Sequence, residues 1–230
     1  MFDLFPDHQR DNIMEELRIL FIETQESLVK KEKRKKKKKS SFVLFKHTFV
    51  TLYLKTIEPM ALIKTVRGFT PIIGEECYLA ENATVVGDVK LGDGCSVWFN
   101  AVIRGDVNTI TIGKNVNIQD CAVLHTLYQK STITIGDNVT IGHHVCIHGA
   151  TIKDNVLIGI GAIILDQAVV HENTIIAAGA LVLDSMICEP NSVYAGVPAK
   201  KVKEISPGQS TEMIQRIANN YKMYASWYKE

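Results

Sequence analysis

The sequence predicts an all-β solenoid, a parallel β-helix of triangular coils with one α-helix packed along its wall, and three observations predict it. Aliphatic residues recur every six positions: Ile73, Leu79, Val85, Leu91, Val97 and Ile103, then, after a three-residue insertion, Ile112, Ile118 and Leu124. A five-residue insertion leads to Ile135, Ile141 and Ile147, and after one deletion the series runs through Ile152, Ile158, Ile164, Val170, Ile176 and Val182. Four residues after most of these stands a small side chain, as at Cys77, Ala83, Cys95, Ala101, Ala122, Ala162, Ala168 and Ala180. Turn-tolerant residues follow many of them, as in Ile73-Gly74, Leu91-Gly92, Ile112-Gly113 and Ile135-Gly136.

A helix repeats near 3.6 residues and a free strand at 2, so a period of six with a fixed small partner fits neither alone. It fits short strands joined by tight corners that point each aliphatic residue into one shared core. Three flats close a coil of 18 residues, and the eighteen aliphatic positions predict six coils. At the strand spacing of roughly 4.8 Å the prism is about 29 Å tall. The insertions, residues 107–111 and 126–134, are expected to leave the prism as loops, where function tends to sit on a rigid scaffold.

Residues 1–59 read differently. Residues 11–29 space Ile13, Leu17, Leu20 and Phe21 as an amphipathic helix, and nine of the ten residues at 30–39 are basic. This segment is read as an extension that adds nothing to the activity, with Met60 as the natural start. It fits a signal peptide poorly, because Lys46 and His47 interrupt its apolar part and no small-residue cleavage site follows before Met60, and a mitochondrial presequence poorly, because it carries nine acidic residues. It holds 13 Lys/Arg against 9 Asp/Glu, leaving 13 against 16 for residues 60–230. The main body is therefore acidic on balance, which disfavours nucleic acid as a partner. No apolar run reaches the ~18 residues of a membrane span. Five cysteines without a CxxC pair read as reduced thiols of a cytoplasmic protein. The chain is thus divided into an extension (1–59), a β-helix domain (60–205) and a C-terminal helix (206–230). Ser206-Pro207-Gly208-Gln209 reads as a capping box with Pro at the first helical position, and Ile214, Ile217, Tyr221, Tyr224 and Tyr228 form the helix face turned to the prism.

Counting along the repeat places three histidines. His125 and His148 are each the second residue of their hexapeptide, on one face and one coil apart, and Arg104 stands in the same column one rung earlier. His143 falls on the preceding face or its corner. One chain would struggle to bring all three to one ion, whereas a homotrimer lets the 125/148 column of one subunit meet the neighbour's 143. Three imidazoles leave a fourth tetrahedral position for water, the pattern of a catalytic Zn²⁺ site, and Fe²⁺ or Co²⁺ suits the same ligands. Taken singly, each histidine also reads as a hydrogen-bonded corner residue.

Residues 60–230 resemble the γ-class carbonic anhydrases of the hexapeptide-repeat superfamily. The resemblance rests on Phe99-Asn100-Ala101-Val102-Ile103-Arg104-Gly105-Asp106, Asn117-Ile118-Gln119-Asp120, Leu124-His125-Thr126, Ile141-Gly142-His143-His144-Val145-Cys146-Ile147-His148-Gly149 and Tyr194-Ala195-Gly196-Val197-Pro198. It implies a left-handed helix, His125, His143 and His148 as metal ligands, and hydration of CO₂ to bicarbonate by a metal-bound hydroxide. It also implies that Gln119 holds the hydroxide or bicarbonate, that Asn117 and Asp120 assist at the interface, and that Tyr194 lies near the catalytic water. Arg104 with Asp106 reads as a bicarbonate-positioning pair or as an ion pair that holds the trimer. Tyr194 reads equally as packing at the last corner. Archaeal members of the family carry a glutamate directly after Arg-Gly-Asp and an acidic loop after the first histidine. Here those places hold Val107 and Leu127-Tyr128-Gln129-Lys130, which leaves Tyr128 and His144 as the nearby relay groups. Other functions compatible with such a prism are acyl-CoA-dependent transfer with one histidine as base, metal-dependent ester or thioester hydrolysis, and a scaffold role.

Overall fold

In the computed structural model, whose described residues are 60–228, each repeat becomes a short parallel strand and a corner. The segments read at 11–29 and 30–39 lie outside the described residues. Strand pairing stacks the inward positions into three columns, one for each face of a left-handed parallel β-helix. The first face carries Ile63, Val85, Ile103, Leu124, Ile147, Ile164 and Val182. The second carries Ile73, Leu91, Ile112, Ile135, Ile152, Val170 and Cys188. The third carries Leu79, Val97, Ile118, Ile141, Ile158, Ile176 and Tyr194. Each column thus has seven members, and the prism has about seven coils rather than the expected six. The added rungs are Ile63 at one end and Cys188 and Tyr194 at the other, where the aliphatic pattern gives way to other buried side chains.

Isoleucines dominate these columns, and from Ile103 to Ile176 the largest of them are fully buried. Burying one such side chain contributes roughly 1.5–3 kcal/mol. Asparagines in the left-handed conformation turn the corner between the second and third faces at positions 115, 138, 155, 173 and 191. Their amides bond up the stack, Asn115 Nδ2 donating to Asn138 Oδ1 at 2.8 Å and Asn173 Nδ2 to Asn191 Oδ1 at 3.0 Å.

The two insertions behave differently from one another. Residues 107–111 do not loop out: they belong to the eleven-residue strand Val102–Ile112, which bends round a corner beside Thr84–Leu91. Val89, Lys90 and Leu91 pair with Ile110, Thr111 and Ile112, and Ile110 is fully buried. The bend is possible because Gly87, at φ +78°, lies against the backbone of Gly105. Residues 126–132 do leave the prism, and Ile133–Ile135 rejoins the second face.

Helix α1, Pro207–Ser226, begins with Ser206 as N-cap and proline in its first turn, but Ser206 makes no side-chain cap hydrogen bond, so the expected capping box does not close. The helix lies on the third face against Ser96–Val97 and Thr140–Ile141. Ile214, Ala218 and Ala225 form its buried line. Tyr221 meets Trp98 edge-on at 5.3 Å, and Tyr228 completes an aromatic cluster with Tyr78, Trp98 and Phe99.

Two glycines separate backbone conformation from space. Both Gly87 and Gly161 have positive φ, but a Cβ at Gly87 collides with Gly105 whereas one at Gly161 meets nothing within 4 Å. Gly161→Ala should cost about 1 kcal/mol and Gly87→Ala at least ~2 kcal/mol in thermal or denaturant unfolding. Equal costs would contradict the close approach at the bend.

Candidate metal centre

Each inward residue is flanked by two outward ones, so every face presents two outward columns. On the first face one column is Arg104, His125 and His148, in register on successive coils, as counting predicts. The two imidazole centroids are 5.3 Å apart. The other column is Leu62, Thr84, Val102, Val123, Cys146, Ile163 and Leu181. Leu62 is 54% exposed and Val123 and Ile163 are each 40% exposed. The histidines therefore border an apolar stripe, the kind of surface that marks an interaction face.

Carboxylates set the ring orientations. Asp106 Oδ2 accepts from Arg104 Nη1 at 2.6 Å, and its Oδ1 lies 3.1 Å from His125 Nε2. Burial alone would raise the Asp106 pKa, but the bonds and charges of Arg104 and His125 hold it below the usual carboxylate value. Burial, joined by the charge of Arg104, pushes His125 down and keeps its imidazole neutral at pH 7. His148 Nδ1 lies 2.7 Å from Asp166 Oδ2, and Ser131 Oγ donates to Asp166 Oδ1 at 2.6 Å. At Asp166, too, burial opposes ionisation, and the bonds from Ser131 and His148 outweigh it and lower the pKa.

His143 occupies the corner between the third and first faces, where its Nδ1 lies 2.8 Å from Asp120 Oδ2. Asn117 and Gln119 are buried beside that corner: Gln119 Nε2 donates to Asn117 Oδ1 at 3.0 Å, and Asn117 Nδ2 to Thr140 Oγ1 at 2.8 Å. The structure thus joins Arg104, Asp106, His125 and His148 in one group and Asp120 with His143 in another. Tyr194 belongs to neither. It ends the inward column of the third face three coils beyond Ile141, about 14 Å by strand spacing, and its hydroxyl accepts from the Glu189 N–H at 3.0 Å.

The donor set suits a metal. His143 and His148 each face a carboxylate through Nδ1, which leaves Nε2 for an ion, the usual outer arrangement of metal-bound histidine. His125 differs, since its carboxylate contact is through Nε2. Among the described residues no three metal-ligating side chains of one chain gather at a point. Sequence reasoning missed Asp166, because the coil after His148 is one residue short: Ile147 pairs with Ile164, which puts Leu165 in the His148 column and Asp166 at the corner just beyond it. It also missed Ser131 and Asn108, whose places depend on the loop. Asn108 Nδ2 donates to both Leu127 O and Ser131 O at 2.8 Å, and Arg67 Nη1 donates to Asp106 O at 3.3 Å while its guanidinium covers the Tyr128 ring.

Comparison with known proteins adds a second line. Residues 70–105 and 149–184 match the model of the bacterial transferase hexapeptide family (six repeats). The chain is 42% identical over 168 residues to a carbonic anhydrase of Geobacillus kaustophilus, covering 73% of this chain and 91% of that one. It is 40% identical over 160 residues to the mitochondrial gamma carbonic anhydrase 1 of Arabidopsis thaliana, covering 67% of this chain and 58% of that longer protein. Among solved structures, a hexapeptide transferase family protein from Anaplasma phagocytophilum superposes with a TM-score of 0.69 at 34% identity, covering 73% of this chain and 98% of the other.

The carboxylates make an acid-stability prediction. Asp106 and Asp166 have folded pKa values below their unfolded ones. Their stabilisation is therefore complete above the unfolded value of about 4 and is lost as pH falls through the lowered folded values. Asp106→Asn and Asp166→Asn chains should be less stable at pH 7 and lose less stability than wild type on acidification, in thermal unfolding of metal-free protein. An unchanged acid limb in both variants would contradict the assignment.

Proposed function

Because the chain belongs to the γ-class carbonic anhydrase-like branch of the hexapeptide-repeat proteins, we propose that it is a metal-dependent carbonic anhydrase interconverting CO₂ and bicarbonate at sites shared within a homotrimer. One observation carries the reading: His125 and His148 stand in one outward column on adjacent coils, beside an apolar stripe that a second copy would cover. His125 and His148 of one subunit and His143 of the next would hold Zn²⁺, with Fe²⁺ or Co²⁺ equally suited by ligand type. Such an ion would lower the pKa of its bound water to about 7, far below that of bulk water, and so supply a nucleophile at neutral pH.

The chain's own groups then divide the remaining work. Arg104, oriented by Asp106 at the column edge, offers guanidinium donors to the oxygens of bicarbonate. Gln119, with its Nε2 committed to Asn117, has its Oε1 free to accept a hydrogen bond from a hydroxyl or water and so aim it. Asp120 holds the His143 ring at the subunit edge. The loop at 127–130 carries no carboxylate, so proton removal falls to Tyr128, His144 or solvent buffer.

Acyl transfer, with His125 as a base steadied by Asp106, is the second reading, favoured by the transferase-family structure from Anaplasma phagocytophilum. Metal analysis separates the two. The full-length chain reconstituted anaerobically with zinc or iron(II) should take up about one ion per subunit and hydrate CO₂, with the rate lost on chelation. His143→Ala should abolish metal binding at every site yet keep the far-UV spectrum, and mixing His125→Ala with His143→Ala chains should restore part of the activity. Absence of metal, or acyl-CoA turnover without it, would overturn the reading. Imidazole buffer should also raise turnover in proportion to its concentration at low buffer, and a rate insensitive to buffer would show an internal relay.

A further inference from the structure

We propose that Ser131 and Asp166 are positioning residues that fix His148 as the Nδ1–H tautomer, with the loop at 126–132 as their brace, so that the Nε2 lone pair faces outward. The purpose of this lock rests on the metal-centre reading, but its geometry does not. A neutral imidazole carries its proton on one nitrogen and its lone pair on the other, and the partner of one decides the role of both. An ionised carboxylate only accepts, so the nitrogen 2.7 Å from Asp166 Oδ2 must be the donor.

Asp166 is itself held. Its Oδ1 accepts from Ser131 Oγ at 2.6 Å, and the same hydroxyl accepts from the Leu127 N–H at 3.1 Å, so Ser131 acts as donor and acceptor at once. Asn108 Nδ2 bridges the carbonyls of Leu127 and Ser131, drawing the two ends of the loop together. Gly149, directly after His148 and at φ +63°, leaves the room: a Cβ there would run into Ser131 Oγ and Asp166 Oδ1. The insertion at 126–132 thereby gains a role distinct from a site lid. It orients a ligand ring from behind, through a serine and an aspartate supplied one coil above.

A merely structural contact would affect stability alone, whereas a tautomer lock moves two other readouts. In ¹⁵N-histidine-labelled, metal-free full-length protein at neutral pH, His148 should show a protonated Nδ1 and an unprotonated Nε2. Asp166→Ala should shift it toward the Nε2–H form, and Ser131→Ala, which leaves the carboxylate in place, should give a mixture of forms. Titration with Co²⁺ alone should show affinity lowered about 10–100-fold in Asp166→Ala, and by less in Ser131→Ala. Unchanged nitrogen shifts in both variants, or Co²⁺ affinities within twofold of wild type, would overturn the proposal. Should Asp166→Ala fail to fold, Ser131→Ala decides by the same two readouts. Failure of wild type to bind Co²⁺ would overturn the metal-centre reading and this lock's purpose, while the nitrogen shifts would still decide whether the lock exists.

Discussion

Register between coils is the constraint from which the rest follows. Parallel strands one coil apart exchange backbone hydrogen bonds, so a residue's place in the sequence fixes its column, its height and whether it points in or out. A slip of one residue would turn the aliphatic columns to water and the histidines into the core. Burial of Ile103, Leu124, Ile147 and Ile164 therefore does more than stabilise the first face: it holds Arg104, His125 and His148 in one outward line. The rigidity of the coil serves the geometry of the site, as a ligand set requires.

Much of this was legible because the repeat is arithmetic. Counting in sixes put His125, His148 and Arg104 in one column and His143 at the neighbouring corner, and the structure gives those positions. Reading stopped short where a residue fills an inward place without being aliphatic: Cys188 and Tyr194 continue their columns, yet neither looks like a rung in sequence. It also failed at residues 107–111, because a strand can take up three extra residues as a bulge at a corner, here between Gly105 and Ile110 opposite Asp88, as readily as it can loop out, and the choice depends on Gly87 meeting Gly105. The buried alanines of the helix escaped notice because close packing against a flat sheet favours small residues over the large apolar ones that define an obvious face. Ser131 could not be placed at all from spacing, since a loop has no column.

The fold by itself does not choose a chemistry. The chain is similar in sequence to a carbonic anhydrase and in structure to a hexapeptide transferase family protein. The choice rests on side chains that the wall presents together: two imidazoles on adjacent rungs, a third at a corner with its own carboxylate, and a guanidinium in the same column. Carboxylates at His143 and His148 leave the same ring nitrogen available, and the exposed apolar stripe beside them gives a reason for another copy to dock there. The loop at 127–130 carries no carboxylate, so under the proposed reaction the departure of the proton is expected to be the slow step.

The central claim is that the ligands of one ion come from two subunits. Anomalous diffraction at the zinc edge, from crystals of the full-length chain grown with zinc, tests it most directly. The account predicts one peak per protomer, between the His125 and His148 rings of one subunit and the His143 ring of its neighbour. A peak bound wholly within one chain, or none at these histidines, would contradict it.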